Sequence, residues 1–169
     1  EPIAIAAMLS KLAGRPVRIF LNRQEEFLSG KSDHAKKMRV RSAVAADGTI
    51  IGRHTEFWVD NGAYTHMGPA YISAVRQRTC NLYRVGVAGF DGKLVHTNKV
   101  SGGSYRGMGA PQIIWAIETQ MDEIAEKLGR DKLDYRIEVA NRAGDQTPQG
   151  WNISTCALTE CLAEAGRRI

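Results

Sequence analysis

Only three cysteines occur in the 169 residues (Cys80, Cys156 and Cys161), an odd number that rules out a disulfide framework. Free thiols are the expected state in a reducing compartment, so a cytoplasmic location is expected. None of the cysteines forms a C-x-x-C pair. The four histidines, His34, His54, His66 and His96, lie too far apart in sequence for a short metal-ligand motif, which argues against a protein-ligated zinc centre. Long apolar runs are missing too. The longest stretch without a formal charge, residues 61–75, has 15 positions and includes Asn, Thr, His, Pro and two Gly. That is no membrane span, and no signal-peptide pattern is present. Aromatic residues are only 7% and do not interleave with the basic ones, which weakens a nucleic-acid reading.

Hydrophobic residues make up 43% and charged residues 24%, an ordinary globular composition in a chain of one-domain length. Residues 1–169 are therefore expected to form a single domain. The net charge of +5 is compatible with an acidic partner but does not require one. Glycine is in surplus, at 17 residues. The chain opens at Glu1 without a methionine, runs at once into a helical pattern and stops at Ile169 at the end of another, as a piece of a longer polypeptide would.

Ile5, Met8, Leu9 and Leu12 fall on one helical face, and Gly14 and Pro16 end that helix. Residues 17–21 read as a short buried strand, and residues 25–30 as a turn or short helix. Met38, Val40 and Val44 alternate with Arg39, Arg41 and Ala43. Asp47-Gly48 and a second alternating run ending at Asp60-Asn61-Gly62 complete a hairpin. Residues 83–97, with Asp91-Gly92 in the middle, suggest a second hairpin. Ile113, Ile117, Met121, Ile124 and Leu128 keep helical spacing up to Gly129. Asp131 caps a further helix carrying Leu133, Ile137 and Ala140, and Ser154 caps a last one with Leu158, Cys161, Leu162 and Ala165 inward. The expected fold is α+β: a mostly antiparallel sheet with hairpins, and helices packed on it.

The most informative segment is residues 97–112, TNKVSGGSYRGMGAPQ, with Gly102, Gly103, Gly107 and Gly109 just ahead of the long helix and Pro111 in its first turn. Backbone amides of a glycine-rich loop at a helix start can cradle an anion or a phosphate-bearing cofactor, and Arg106 stands between small neighbours that leave it room. A tight strand-to-helix connection explains the glycines equally well. The spacing is neither that of a P-loop nor G-x-G-x-x-G. Lys36, Lys37, Arg39 and Arg41 form a basic strand edge. It suits nucleic-acid phosphates, or simply a solvated strand face that resists edge pairing. The alternative function is thus a non-catalytic module that binds phosphate or nucleic acid through the loop and this edge. The acidic cluster Glu118, Asp122, Glu123 and Glu126 reads as the wet face of its helix. Cys161 reads as core, and Cys80 as a partly buried thiol.

Taken together, Gly14-Arg15-Pro16-Val17-Arg18, Asn22-Arg23-Gln24-Glu25-Glu26, Ala46-Asp47-Gly48-Thr49-Ile50, Asp60-Asn61-Gly62-Ala63-Tyr64, Thr97-Asn98, and Tyr105-Arg106-Gly107-Met108-Gly109-Ala110-Pro111-Gln112, with residues 118–128, carry a resemblance. In order and spacing they resemble the molybdopterin-binding large subunit of the molybdenum hydroxylases, the xanthine dehydrogenase / aldehyde oxidase / 4-hydroxybenzoyl-CoA reductase family, over essentially the whole chain. The resemblance implies a fragment of the first molybdopterin-binding domain. It implies a molybdenum–molybdopterin cofactor, iron–sulfur clusters and FAD on partner subunits or domains, and an oxidoreductase using oxygen from water. The metal is held by the pterin dithiolene and by oxo or sulfido ligands, so no protein metal ligand is implied.

By the same resemblance, Ser104, Tyr105, Arg106 and Gly107 bind the cofactor, while Glu1, Ala74 and Met108 stand at substrate positions. Met108 replaces an aromatic that packs on ring substrates, and a thioether lines a pocket without stacking like a ring. Ala74 stands where purine oxidisers carry arginine, with Arg76 two residues on, and Gly107 stands where carbon monoxide oxidisers carry cysteine. An aromatic, thioester or aldehyde substrate is the expectation. The general-base glutamate of the family belongs to a Gly-x-Gly-Glu segment far downstream, so no catalytic residue is expected within these residues, and the piece alone is expected to be inactive.

Overall fold

A computed structural model describes residues 2–169. The chain runs α1 (Pro2–Ala13), α2 (Arg23–Ser29), β1 (Ser32–Asp33), β2 (Lys36–Val44), β3 (Ile50–Gly62), α3 (Gly68–Arg78), β4 (Val87–His96), β5 (Gly102–Gly103), α4 (Ala110–Leu128), α5 (Lys132–Val139) and α6 (Leu158–Arg168). The α+β class expected from the sequence is observed. A three-stranded sheet in the order β2-β3-β4 packs helices α3 and α4 on one face, and β1 and β5 form a separate short ladder.

The first hairpin forms as its alternation predicts. β2 and β3 pair antiparallel, with Met38 opposite Phe57 and Val40 opposite Thr55. The connecting turn is pinned by Thr49 N–H donating to Asp47 Oδ1 at 2.9 Å, and Gly48 takes a positive φ of 94°. The second hairpin is not formed. Residues 87–96 are one continuous strand, parallel to β3, and α3 makes the crossover between the two. Asp91-Gly92 looks like a turn locally, but Gly92 serves a different need. A Cβ there would lie 2.6 Å from Ile72 Cγ2, so the missing side chain lets α3 lie close on the sheet. The main sheet therefore has one antiparallel and one parallel ladder rather than a mostly antiparallel layout.

The inner face of the sheet carries Phe57 and Val59. With Tyr71 and Val75 of α3, Ile113, Ile117, Met121 and Ile124 of α4, and Tyr135 and Val139 of α5, they form the core. Each such side chain is worth about 1.5–3 kcal/mol when fully buried. α4 is built as its periodicity predicts and ends at Gly129, whose φ of 65° lets its N–H return to the last turn. Asp131 caps α5 by accepting from the N–H groups of Leu133 and Asp134. One inward polar residue is conspicuous. Arg53, buried in the sheet, donates to the Thr79 carbonyl at 2.9 Å and to Ser42 Oγ at 3.2 Å, and burial lowers its pKa.

Several expectations change at the ends. Residues 17–21 form no strand; they are alternately half-buried and exposed, with no strand partner among the described residues. α2 is a true helix, closed by a capping box between Asn22 and Glu25. α6 starts at Leu158 without a side-chain cap, so Ser154 does not cap it, and Cys161 is exposed rather than core. Cys80 is fully buried. Glu118 and Asp122 are more than a wet face: both bind Arg136, at 2.8 and 2.7 Å, and clasp α4 to α5.

Candidate functional site: the glycine-rich loop

Residues 104–109 bridge β5 and α4. Gly107 and Gly109 have φ of 85° and 81°, and Met108 between them has φ 47°. Three successive left-handed residues fold the chain back sharply, and only glycine takes that conformation without steric cost. The turn is closed by Ala110 N–H donating to the Gly107 carbonyl at 3.0 Å and Ile113 N–H to Gly109 at 3.2 Å. Gly109 lies against the core, where a Cβ would meet Val75 Cγ2 at 2.5 Å and the Tyr71 ring at 3.0 Å. The loop is thus seated on α3.

Ser104, Tyr105, Arg106 and Gly107 are all exposed on this bend, and Met108 is half-buried against the core. The Arg106 guanidinium makes no hydrogen bond or ion pair among the described residues, and the Tyr105 ring is 74% exposed. The bend is a tight connection from β5 to α4 that also leaves the Arg106 guanidinium exposed.

The sequence reading missed what holds this loop. β1 and β5 pair in parallel, Ser32 with Gly102 and Asp33 with Gly103. The Asp33 carboxylate accepts from Lys36 Nζ at 2.7 Å and from Gln112 Nε2 at 2.9 Å, and the Lys36 ammonium also donates to the Tyr71 hydroxyl at 2.9 Å. His34 is 3% exposed; its Nδ1–H donates to the Asp60 carbonyl at 2.7 Å, and its ring lies 4.6 Å from that of Tyr71. Asp60 in turn accepts from Thr97 Oγ1 at 2.6 Å, Lys99 Nζ at 2.9 Å and Gly62 N–H at 3.0 Å. These hydrogen bonds, that of Thr97 first, hold its carboxyl at a pKa of about 2. Thr97, Lys99, Gly102, Gly103 and Gln112 lay inside the segment singled out in the sequence. The others are distant in sequence and carry no local signal.

The substrate-side positions separate. Ala74 is half-buried on α3, one turn from Tyr71 and next to Val75, the residues against which the loop packs. Arg76 instead lines a cavity of about 410 Å³ with Ile72, Ser73, Phe90 and Gln149, away from the loop. Glu1 lies outside the described residues. A cavity of about 680 Å³, lined by Thr49, Arg84, Glu138 and Asn141 among others, includes no loop residue. Of the basic edge, Arg39 and Arg41 share the single carboxylate of Glu56 at 3.2 and 3.4 Å, which leaves the edge a solvated and only partly neutralised strand face. No described helix is long and apolar enough to cross a membrane.

Among known families, the molybdopterin cofactor-binding domain matches residues 2–140. The chain belongs to that family. It is 38% identical to the xanthine dehydrogenase molybdenum-binding subunit of Escherichia coli O157:H7, covering 100% of this chain and 22% of that protein. It is 37% identical to the aldehyde oxidoreductase of Megalodesulfovibrio gigas, over 95% of this chain and 17% of that one. The solved aldehyde oxidoreductase from Desulfovibrio gigas superposes with a TM-score of 0.88 at 32% identity, covering 98% of this chain and 18% of the other. The chain therefore spans about a fifth of the length of these relatives.

The loop fits the group that this molybdopterin domain family binds. Molybdopterin carries an anionic phosphate, and the loop offers an unpartnered guanidinium, an exposed hydroxyl at Ser104 and glycine backbone that ligand atoms can approach closely. Among the described residues no cluster of three or more His, Cys, Asp or Glu is arranged to hold a metal ion.

Proposed function

We propose that these residues form part of the first molybdopterin-binding domain of a molybdenum hydroxylase subunit, and that Ser104, Tyr105, Arg106 and Gly107 hold the pterin cofactor. The observation that carries this reading is the unpaired Arg106 on a bend anchored at both ends, in a chain of the molybdopterin-binding family. When bound, the cofactor supplies the two-electron chemistry that moves oxygen from water to an electron-poor carbon. This chain's share is positional. Arg106 offsets the anionic charge, Ser104 and the loop amides supply hydrogen bonds, and the Tyr105 ring gives a flat apolar surface.

Met108 and Ala74 belong on the substrate side, and Glu1 is assigned there by resemblance alone. Met108 is half-buried and contributes an apolar, adaptable wall. The placement of Arg76 away from the loop supports an aromatic, thioester or aldehyde substrate over one that needs a guanidinium at the Ala74 position. The general base belongs to a part of the subunit outside these residues, so the 169-residue piece alone does not turn over. Electrons leave to iron–sulfur clusters and then FAD on partner subunits or domains of a cytoplasmic assembly.

The test is Arg106→Ala in the complete subunit. Loss of one charge-assisted contact, worth about 1.5–3 kcal/mol, lowers cofactor affinity by roughly 10- to 100-fold. Molybdenum and pterin content measured after gel filtration fall accordingly. Unchanged content and turnover would rule out the assignment. Nucleic-acid binding that weakens with salt and survives in the Arg106 variant would favour the phosphate-binding alternative instead.

A further inference from the structure

We propose that Asp33, with Gln112 and Lys36, is a positioning group that clamps the two ends of the cofactor loop together and sets how firmly the cofactor is held; this rests on the functional reading above. The geometry converges on one carboxylate. Through its backbone, Asp33 pairs with Gly103, the last strand residue before the loop. Through Oδ2 it accepts from Gln112 Nε2 at 2.9 Å, and Gln112 lies in the first turn of α4, immediately after the loop. The same Oδ2 accepts from Lys36 Nζ at 2.7 Å, and Lys36 also reaches the Tyr71 hydroxyl at 2.9 Å, on the ring that lies under Gly109. Asp33 Oδ1 accepts from the His34 N–H at 2.9 Å, which fixes the carboxylate plane.

Entry, exit and floor of the loop are therefore joined through one residue: the Asp33 backbone holds the entry, its carboxylate the exit, and Lys36 on that carboxylate the floor. Nothing comparable acts from within the loop. The side chains of Ser104, Tyr105 and Arg106 make no hydrogen bonds among the described residues, and the only closures are the Ala110 and Ile113 amides on the exit side. Without the Gln112–Asp33 contact, α4 and β5 remain tethered only through the core beneath, and the bend is free to open. An open bend moves the Arg106 guanidinium away from its ligand, because the Ala110 and Ile113 amides and the seat of Gly109 on α3 fix only the exit side of the loop. Lys36 has a distinct part. Its side chain is only 10% exposed, so the carboxylate also neutralises a nearly buried ammonium. The clamp and the charge balance can thus be separated by mutation.

The experiment uses the complete subunit and three variants: Gln112→Leu, Asp33→Ala, and the double Asp33→Ala/Lys36→Met. Two readouts are taken: amide exchange across residues 101–113, and the rate of pterin release, followed by fluorescence of the freed pterin. Gln112→Leu removes the exit-side contact without changing charge. It is expected to raise loop exchange and pterin release by about tenfold while the melting temperature stays near wild type. Asp33→Ala removes the acceptor of Gln112, additionally strands the Lys36 charge and lowers the melting temperature. The double variant recovers the melting temperature but keeps the fast exchange and release, which a purely structural role would not produce. Wild-type exchange and release in Gln112→Leu, or their recovery along with stability in the double variant, would overturn the proposal. A wild-type subunit that carries no cofactor would instead sink the functional reading and leave the exchange measurement to decide the clamp.

Discussion

Replacing Gly102 by alanine places a methyl group 2.0 Å from His34 Nδ1 and 2.2 Å from Cε1, far inside contact distance. The backbone there is not left-handed, so the whole penalty is steric. The ring cannot yield cheaply. His34 is buried, its Nδ1–H is bound to the Asp60 carbonyl, and it is packed at 4.6 Å from the Tyr71 ring. Overpacking of this kind costs about 1–3 kcal/mol, and loss of the His34–Asp60 hydrogen bond adds about 1 kcal/mol. Local opening of residues 98–112 then becomes easier by about 2–4 kcal/mol, and amide exchange in that segment accelerates by roughly 30-fold to several-hundred-fold. Truncating the ring should relieve the clash. The double variant Gly102→Ala/His34→Ala should be more stable than the sum of the single losses by at least about 1.5 kcal/mol. Gly129→Ala is the control, because nothing lies within 4 Å and only its φ of 65° resists a side chain. It should cost about 1 kcal/mol and leave exchange near the loop unchanged. Wild-type exchange in Gly102→Ala, or additive losses in the double variant, would refute the claim that His34 and Gly102 are fitted to each other.

Two further outcomes follow from the charged groups. Asp60 has a folded pKa of about 2, below its ordinary 3.8, so its contribution is complete above about pH 4 and is lost as pH falls through 2. That contribution is of order 1–2 kcal/mol; melting temperature measured from pH 5 down to pH 2 should fall less steeply in Asp60→Asn than in wild type, and parallel curves would contradict the assignment. Tyr83 has its phenol pKa raised, first by burial and then by the Glu118 carboxylate that accepts its O–H at 2.7 Å. Glu118→Gln removes the negative neighbour, so Tyr83 should ionise at lower pH in an ultraviolet titration, though still above an ordinary tyrosine because the burial persists; an unmoved titration would show that the carboxylate is not a cause.

What could be read from the sequence was whatever physics settles within a few residues. α4 was legible because its apolar period, its Pro111 start and its Gly129 stop agree, and the β2–β3 hairpin because alternation and Asp47-Gly48 agree. Asp91-Gly92 carries the same local signature as Asp47-Gly48, yet one is a turn and the other lies mid-strand. In the second case Ile72, some twenty residues away, packs against Gly92 of a strand that runs parallel to β3. The functional loop divides in the same way. Its glycines and arginine are contiguous and were visible as a motif. Its supports, Asp33, His34, Lys36 and Tyr71, come from two other stretches of chain and meet only because β1 pairs with β5 beside the start of α4. Asp33 and Gln112 are 79 residues apart, and no spacing rule links an aspartate to a glutamine over that distance. A motif shows which atoms can face a ligand. How firmly those atoms are held is set by long-range contacts, and these become visible only once the strands are paired.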